Sequence, residues 1–459
     1  MGSTRVKRMM KQQLQHRSQK KKQRLDDDAN VNSSKKRPNF EDEEILSSDE
    51  EVVGPKGQKN DIEQDDFFMT EETADEKHIR LAKDLISQIG AEKKKDSEDE
   101  GEEVVAEDDR ITQRLQESHL ESQGKIFRFH ASSVIKKDHD VTFRKCHKAP
   151  ITAVVISLDE RYVYTASKDC SIVKHDLQTG SRVVYKGKKH DREAEGHFDE
   201  IMALAISSDG KYLASGGKDR LIKIWNTQTD SLIDTFKGHR DTVTALVFEF
   251  RSHELFSGSA DRTVKQWNVA DMAFMDTFYG HQSNILAIDS VVKARVVTSG
   301  SDASCRMWKT DQGSQLLYKF PETNVDCIKC VSAEYFVTGS QGGRVSLLHA
   351  SKKKPIFSTE SGEQDDWITA LGVSRYGDIV CSGNVNGVLQ CFGVDTKERE
   401  LNELFKLNVP GVINGIAIAQ SANFAVIATS KEPRLGRWFV NNKGKTGIHI
   451  VKLKADKQQ

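Results

Sequence analysis

Apolar and polar residues alternate over short segments through most of the chain, and turn residues separate these segments. In one stretch, apolar residues occupy positions 201, 203 and 205 (Ile201, Ala203 and Ala205). Two further segments of the same strand-like pattern cover 212–215 and 221–225. A period of two is the pattern of a β-strand with one buried face. A Ser-Asp-Gly turn signal lies between the first two segments. The pattern therefore predicts short strands joined by turns.

One frame of residues recurs three times within this alternating pattern. A Gly-His pair is followed by Asp about 22 positions after the His and by Trp six positions after the Asp, and the frame repeats about every 42 residues. The three copies contain Gly196, His197, Asp219 and Trp225; Gly238, His239, Asp261 and Trp267; and Gly280, His281, Asp302 and Trp308. This period suits a four-stranded propeller blade.

The spacing of the frame can bring an imidazole, a carboxylate, a strand Ser or Thr and an indole N–H together. A buried carboxylate is costly unless its oxygens accept hydrogen bonds. We therefore interpret each set as a hydrogen-bonded network that stabilises one blade and performs no chemistry. The sets are His197, Ser215, Asp219 and Trp225; His239, Ser257, Asp261 and Trp267; and His281, Asp302 and Trp308.

Four further copies of the unit are degenerate. An earlier copy keeps His147, Thr165 and Asp169 but has His175 where Trp is expected, which predicts an altered and weaker network. Three later copies, in 325–348, 367–392 and 412–438, keep only the strand and turn pattern. At the Asp and Trp positions they carry Gly342 and Leu348, Asn386 and Phe392, and Glu432 and Trp438.

Seven units in total predict an all-β fold, a seven-bladed β-propeller. A ring of seven blades closes without leaving long exposed sheet edges. The last blade needs an outer strand, and the segments Gly447–Lys454 and Val141–Cys146 both qualify for that place.

The composition changes sharply before the ring begins. The first 120 residues contain no Trp, Tyr or Cys, so a packed core is not expected there. We predict a disordered basic and then acidic tail over 1–70, an acidic segment with partner-docking helices over 71–123, and the propeller over 124–459. The net charge is about +9 over 1–40, about −18 over 41–109 and about +8 over the remainder.

Two kinds of short signal stand in the tail. Two basic clusters have the composition of nuclear import signals and would also bind polyanions, with a solvated basic tail as the alternative. They are Lys20, Lys21, Lys22 and Arg24, and Lys35, Lys36 and Arg37. Three serines, Ser47, Ser48 and Ser97, precede acidic runs and resemble acidophilic-kinase sites, with plain solvation as the alternative.

In residues 71–90, the apolar residues repeat at helical spacing and do not alternate as in a strand. Thr73 and Glu76 form a capping box and Gly90 ends the run. This predicted amphipathic helix packs either on the propeller or on a partner in a larger assembly. A second candidate helix covers about 107–123.

Several function classes are excluded by the sequence. No signal peptide opens the chain and no segment approaches the roughly 20 apolar residues of a membrane span, so we predict a soluble intracellular protein. The seven scattered cysteines indicate reduced thiols, and Cys327 with Cys330 lacks the other ligands of a zinc site. Nucleotide-binding and hydrolase motifs are missing, so we predict no catalytic residue, no cofactor and no metal.

Basic residues lie in or beside the turns between predicted strands, at positions that reach one face of the ring. They are Lys168, Lys218, Arg220, Arg240, Arg262, Arg434 and Arg437. Together with the positive charge of the ring, they predict a phosphate-binding surface whose affinity falls steeply with salt. Ordinary rim charges paired with Asp and Glu are the alternative.

The repeat resembles the WD-repeat family, although Asn or Lys follows the repeat Trp where that family often has Asp. Four segments are similar to one branch, the WD-repeat proteins of the U3 small nucleolar ribonucleoprotein. They are Glu71–Lys83, Ala166–Ile172, Ala205–Gly216 and Arg434–Trp438. The resemblance runs from about Glu71 to the C-terminal strand, whereas the tail matches in character only.

That resemblance implies a definite role. Such proteins are non-catalytic subunits that bind the box B/C region of U3 small nucleolar RNA (snoRNA), beside a small protein that binds its kink. They join other box C/D snoRNP proteins and the small-subunit processome in the nucleolus of the cell nucleus, and act in pre-rRNA processing for small ribosomal subunit biogenesis. Double-stranded RNA is bound mainly through its backbone and shape, which suits scattered Arg and Lys.

Two other functions stay open for the sequence alone. One is a protein-only WD-repeat scaffold, such as a ubiquitin-ligase substrate receptor or a chromatin adaptor, in which the basic tail serves for import alone. The other is an enzyme that uses a propeller face, although the sequence offers no convergent acid, base or metal set for it.

Overall fold

The computed structural model describes residues 128–134, 139–191, 195–290, 293–320, 324–359, 367–396 and 398–454. The predicted import clusters, kinase-site serines and N-terminal helices lie outside these residues. The described residues form 28 strands and two short 3₁₀ helices, Ala131–Ser133 and Thr310–Gln312.

Seven antiparallel sheets of four strands each form the ring, which confirms the predicted seven-bladed propeller. Blades 1 to 3 contain β2 (Ile151–Ile156), β3 (Tyr162–Ser167), β4 (Ile172–Asp176), β5 (Arg182–Tyr185), β6 (Ile201–Ile206), β7 (Tyr212–Gly217), β8 (Leu221–Asn226), β9 (Ser231–Lys237), β10 (Val243–Phe248), β11 (Glu254–Ser259), β12 (Thr263–Asn268) and β13 (Ala273–Tyr279). Blades 4 to 6 contain β14 (Ile285–Asp289), β15 (Arg295–Gly300), β16 (Ser304–Lys309), β17 (Ser314–Lys319), β18 (Val325–Cys330), β19 (Tyr335–Ser340), β20 (Val345–His349), β21 (Phe357–Ser358), β22 (Ile368–Val373), β23 (Ile379–Asn384), β24 (Val388–Asp395) and β25 (Glu400–Asn408). Blade 7 contains β26 (Val412–Ile418), β27 (Phe424–Ser430), β28 (Gly447–Lys452) and β1 (Val141–Arg144).

Burial decreases from the inner strand of a blade to its outer strand. In blade 3, all residues of β10 are buried, whereas the first four residues of β13 are exposed. Inner strands are covered on both faces because neighbouring blades pack against them: Ile224 of blade 2 lies in one apolar cluster with Val243 and Leu246 of blade 3. The hydrophobic core is therefore distributed between adjacent blades around the ring.

Each inner strand carries a bulge close to its start, where its pairing with the second strand shifts. Polar side chains at the bulge tie several blades to the next blade. Thr152 Oγ1 donates to the Ile201 carbonyl at 2.7 Å, Thr244 Oγ1 to the Ile285 carbonyl at 2.5 Å, and Asn414 Nδ2 to the Ile151 carbonyl at 2.8 Å. The last of these bonds joins blade 7 to blade 1.

Strands from both ends of the propeller sequence close the ring. In blade 7, β28 pairs with β27 as the third strand, and β1 pairs with β28 as the outer strand. Val141 lies opposite Val451, and Arg144 lies opposite Ile448. Both segments that the sequence left open thus contribute one strand each to the last blade.

Trp438 does not occupy the Trp position of blade 7, so that prediction is wrong. In blade 2, Trp225 lies opposite Leu213, and the corresponding residue of blade 7 is Val451, which lies opposite Ala425. Trp438 instead lies in the loop between β27 and β28, with 61% of its surface exposed. The loop between β27 and β28 is long, so the third strand of blade 7 begins later in the sequence than the usual spacing predicts. A Trp at the usual spacing therefore lies in the loop, before the strand begins.

A hydrogen-bonded network links the strands of blade 2. His197 Nδ1 lies 2.7 Å from Asp219 Oδ2, and because a carboxylate only accepts, Nδ1 carries the proton and donates. His197 Nε2 then accepts from the Ser215 hydroxyl at 2.7 Å. The Trp225 indole N–H donates to the same Ser215 oxygen at 2.9 Å. All four side chains are buried, so the network acts as an internal brace.

Blades 3 and 4 repeat this network. Its members are His239, Ser257, Asp261 and Trp267 in blade 3, and His281, Thr298, Asp302 and Trp308 in blade 4. Thr298 is the hydroxyl residue of blade 4 that the repeated frame did not single out. Thr298 could not be identified from the sequence, because either Ser or Thr can occupy this strand position and the residue type alone therefore does not mark it.

Blade 1 contains an altered network. His147 Nε2 lies 2.9 Å from Thr165 Oγ1, while its Nδ1 lies 3.1 Å from Ser171 Oγ and 3.4 Å from Asp169. His175 stands at the Trp position, and its Nε2 is buried without a hydrogen-bond partner. The indole donor of blades 2 to 4 is therefore replaced by an unpaired imidazole nitrogen.

Acidification from pH 6.5 through 4 is expected to destabilise the propeller, because two buried imidazoles resist protonation. Burial lowers the pKa of His175 and of His449 from 6.5 to about 4, and nearby positive groups add to the effect. The folded protein thus binds these protons less tightly than the unfolded chain, so the free energy of unfolding declines as the pH falls through this window. Each histidine contributes about 1–3 kcal/mol.

Urea unfolding of the wild type and of the double variant His175→Phe, His449→Phe at pH 7 and pH 4.5 measures this contribution. The variant is expected to lose less stability between the two pH values than the wild type. An equal loss in both proteins would assign the acid sensitivity to other groups.

Candidate nucleic-acid interface

The seven basic residues singled out in the sequence belong to turns at one end of the blades. In an antiparallel blade, the turn between the second and third strands and the connection from the outer strand to the next blade lie at the same end. Lys168, Lys218, Arg220, Arg262, Arg434 and Arg437 lie in turns of the first kind, and Arg240 lies in a connection of the second kind. We call this end of the ring the cation face.

Contacts join the cation face into an arc over blades 7, 1, 2 and 3. The Lys168 ammonium donates to the Pro433 carbonyl at 2.9 Å, which connects the turns of blades 1 and 7. The Arg220 guanidinium donates to the Arg240 carbonyl at 3.4 Å, which connects blades 2 and 3. A ligand that follows the rim can therefore meet these residues in succession.

Acidic side chains neutralise part of the arc. Lys218 Nζ lies 2.7 Å from Glu200, and Arg437 Nε lies 2.8 Å from Glu432. The Arg437 side chain is nevertheless 78% exposed, and exposed ion pairs of this kind exchange readily with another anion because each is weak. The side chains of Arg220, Arg240 and Arg262 belong to exposed residues of the same arc.

Two of these arginines hold a backbone conformation that favours glycine. Arg220 and Arg262 have φ angles of +67° and +70°, in the left-handed region that costs an ordinary residue about 1 kcal/mol or more. The same turn position carries Gly343 in blade 5 and Gly387 in blade 6. Cys170 of blade 1 and Ala303 of blade 4 hold the same position with φ angles of +65° and +53°, so four blades accept a non-glycine residue there. In blades 2 and 3 that residue is an exposed arginine.

Arg434 has a different environment from the other six cations. Its guanidinium reaches from the loop of blade 7 into the central channel and donates to the Leu286 carbonyl of blade 4 at 2.9 Å. Burial lowers the pKa of Arg434, and the Cys327 and Asp326 groups nearby act against that shift. The prediction of a rim cation at this position is thus corrected, because Arg434 braces the channel mouth.

The channel itself forms a cavity of about 310 Å³ lined by the inner strands. Near the mouth, the Trp367 indole N–H donates to the Asp326 carboxylate. Burial raises the pKa of Asp326 to about 6, while that hydrogen bond and the charge of Arg434 oppose the rise. Sequence reasoning missed this group because its members come from blades 5, 6 and 7.

The Ser, His and Asp residues of the braces have the residue types of a hydrolase triad, but they are closed to a substrate. The side chains of His197 and Asp219 have no exposed surface, and Ser215 is fully buried. In blade 3, burial raises the pKa of the Asp261 carboxyl, but hydrogen bonds from His239 and from backbone and hydroxyl donors outweigh it and hold the pKa well below its usual range. The carboxylate is thus a charged structural acceptor.

Other candidate chemistry is not assembled within the described residues. They contain no group of His, Cys, Asp or Glu arranged to hold a metal ion. Cys327 and Cys330 both lie in β18, and each packs in a different apolar cluster. Three positions along a strand place side chains on opposite faces, so the two thiols diverge. In the same part of the chain, no helix is both long and apolar enough to cross a membrane.

The repeats and the seven blades together define a WD-repeat propeller. The WD domain, G-beta repeat model matches residues 140–176, 189–226, 230–268 and 273–309. These segments cover blades 1 to 4, which are the blades that keep the His and Asp of the frame. Blades 5 to 7 have the strands of the fold without those residues.

Comparison with known proteins places the chain in a more specific family. It is 33% identical over 398 residues to U3 small nucleolar RNA-interacting protein 2 of Homo sapiens, covering 84% of this chain and 83% of that protein. It is 25% identical over 549 residues to ribosomal RNA-processing protein 9 of Saccharomyces cerevisiae, covering 91% and 96%. A solved structure of U3-55K has 33% identity and a TM-score of 0.65, covering 68% of this chain and 98% of the other. The chain belongs to the U3 snoRNP-associated family of WD-repeat proteins.

Proposed function

We propose that this protein is a non-catalytic RNA- and protein-binding subunit of the U3 snoRNP. It binds the box B/C region of U3 snoRNA through the cation face and acts in pre-rRNA processing for small ribosomal subunit biogenesis. The names of its relatives refer to U3 RNA and to ribosomal RNA processing, which supports this assignment.

The observation that carries the proposal is the placement of Arg220 and Arg262. Both place an exposed cation in the turn between the second and third strands of their blades, and both lie on the arc with Arg240. A curved row of cations on a rigid ring suits the backbone of a folded RNA, which proteins recognise mainly by shape and phosphate contacts. The Ser, His and Asp side chains of the braces are buried and serve as structural hydrogen-bond partners.

Partners and location follow from the same assignment. The small protein at the kink of U3 snoRNA would lie beside the cation face, and other box C/D snoRNP proteins and processome proteins would complete the assembly. The two basic clusters of the tail would direct the chain to the nucleus and nucleolus. The amphipathic segment 71–90 would supply a contact to one of these partners.

Ultraviolet crosslinking in cells, followed by sequencing of the RNA that copurifies with the full chain, tests the proposal. We expect one abundant nucleolar RNA, U3 snoRNA, with crosslinks concentrated in its box B/C region. Recovery of no RNA together with stable protein partners would instead support the protein-only scaffold. The ion pairs of Lys218 and Arg437 would then be ordinary rim charges.

A further inference from the structure

An exposed tryptophan lies on the cation face, next to the arc. Trp438 stands in the loop between β27 and β28, and its neighbours Phe439 and Val440 are exposed as well. Three consecutive exposed apolar residues form a small surface patch, and such patches mark interaction sites. This residue is therefore a candidate contact for a ligand.

The orientation of Trp438 is fixed by its surroundings. Its ring stacks on Trp367 with a centroid distance of 5.7 Å and an interplanar angle of 20°. Trp367 is anchored in turn, because its indole N–H donates to Asp326 at the channel mouth. Gly436 also packs closely, since a Cβ added there would come within 1.7 Å of the Trp438 ring. The indole is thus held in place although 61% of its surface is open.

The charges around Trp438 favour a nucleic acid over an apolar protein segment. Arg437 precedes it directly and is 78% exposed. Through Lys168 and Pro433, the same loop continues into the arc of cations on blades 1 to 3. A flat aromatic ring beside exposed cations is the combination that binds an unstacked base together with its phosphate.

We propose that Trp438 stacks against an unpaired base of the bound RNA while Arg437 contacts an adjacent phosphate. This inference rests on the proposed function and adds to it a subsite for an unpaired nucleotide. The arc then binds the phosphate backbone, whereas Trp438 distinguishes an RNA with an unstacked base from a plain duplex.

Binding of fluorescein-labelled U3 box B/C RNA by the full chain tests this subsite. Trp438→Ala is expected to weaken binding about 5- to 100-fold. Trp438→Phe keeps an aromatic face and should stay within about 3-fold of the wild type. Because stacking releases no counterions, the dependence of affinity on salt should be unchanged in Trp438→Ala.

Two matched controls accompany these variants. Phe274→Ala removes another exposed aromatic side chain, 52% exposed, from the start of β13 at the opposite end of blade 3, and should not change RNA binding. A fully paired RNA duplex of the same length offers no unstacked base. The wild type and Trp438→Ala should bind that duplex equally.

Tryptophan fluorescence gives a direct readout of the stack. Of the five tryptophans, Trp225, Trp267 and Trp308 are buried in the braces and beyond the reach of a ligand. Addition of unlabelled box B/C RNA should quench part of the emission of the wild type. The quenched part should be absent in Trp438→Phe, even though that variant still binds.

The outcomes separate this inference from the proposed function. If the wild type binds the RNA but Trp438→Ala binds equally well without loss of quenching, the base-stacking subsite is refuted and the proposed function stands. If Trp438→Ala keeps its RNA affinity but loses a copurifying protein, the surface docks protein, and base stacking is again refuted. If the wild type itself does not bind U3 RNA, both assignments fail.

Discussion

Reversing the charge of Arg220, Arg240 and Arg262 together, each to Glu, is expected to lower the affinity for U3 box B/C RNA about 100- to 1000-fold near physiological salt. The three side chains are exposed on blades 2 and 3, and each reversal would remove one of the proposed phosphate contacts and add repulsion. The slope of log affinity against log salt should decrease by about 3, or one unit for each lost contact.

A second triple variant provides the matched control. Lys211, Arg251 and Lys293 are exposed cations in the turns after inner strands, at the end of the ring opposite to the cation face. Reversing all three to Glu changes the net charge by the same amount. If binding depended on overall charge alone, both triple variants would lose affinity equally, and the assignment of the cation face would be wrong.

Loss of one brace carboxylate is expected to have the largest effect on stability. Asp219→Ala should lower the free energy of unfolding by about 3–5 kcal/mol, because it removes the partner of a fully buried imidazole. Asp219 also accepts the main-chain N–H of Leu221 at 3.1 Å, so the turn before β8 loses a bond as well. Urea unfolding followed by far-ultraviolet circular dichroism measures the change.

The equivalent substitution in blade 1 is the control for this prediction. Asp169 lies 3.4 Å from His147, its side chain is partly exposed, and the blade lacks the indole donor. Asp169→Ala should therefore cost clearly less than Asp219→Ala. Equal losses of stability at the two sites would show that the Asp219 carboxylate stabilises only its own turn. The hydrogen bonds of the complete brace would then contribute no stability.

Most of the fold could be predicted from local pattern. Strand alternation, turn residues and the spacing of His197, Asp219 and Trp225 are properties of a single blade, and one blade copied along a chain leads to a ring. The prediction went wrong at Trp438, because a long loop in blade 7 displaces the third strand beyond the usual spacing. Which segments close the ring also depends on pairing between distant strands, which no local pattern contains.

The candidate site was predictable only in part. The turn positions of Arg220 and Arg262 follow from the strand pattern, and so does their common end of the ring. The environment of Arg434 does not follow, because its guanidinium crosses to the Leu286 carbonyl in a blade about 150 residues away along the chain. The stack of Trp438 on Trp367 likewise depends on how the loop of blade 7 folds over blade 6.

The pairing of β1 with β28 has a consequence for the synthesis of the protein. The two strands are separated by about 300 residues, which a ribosome adds in about 15–60 s. During that time the first blades can form, but the ring cannot close, and β1 has no strand to pair with. An open ring with an exposed strand edge therefore precedes the closed propeller during synthesis, and that edge can pair with other chains until β28 has been made.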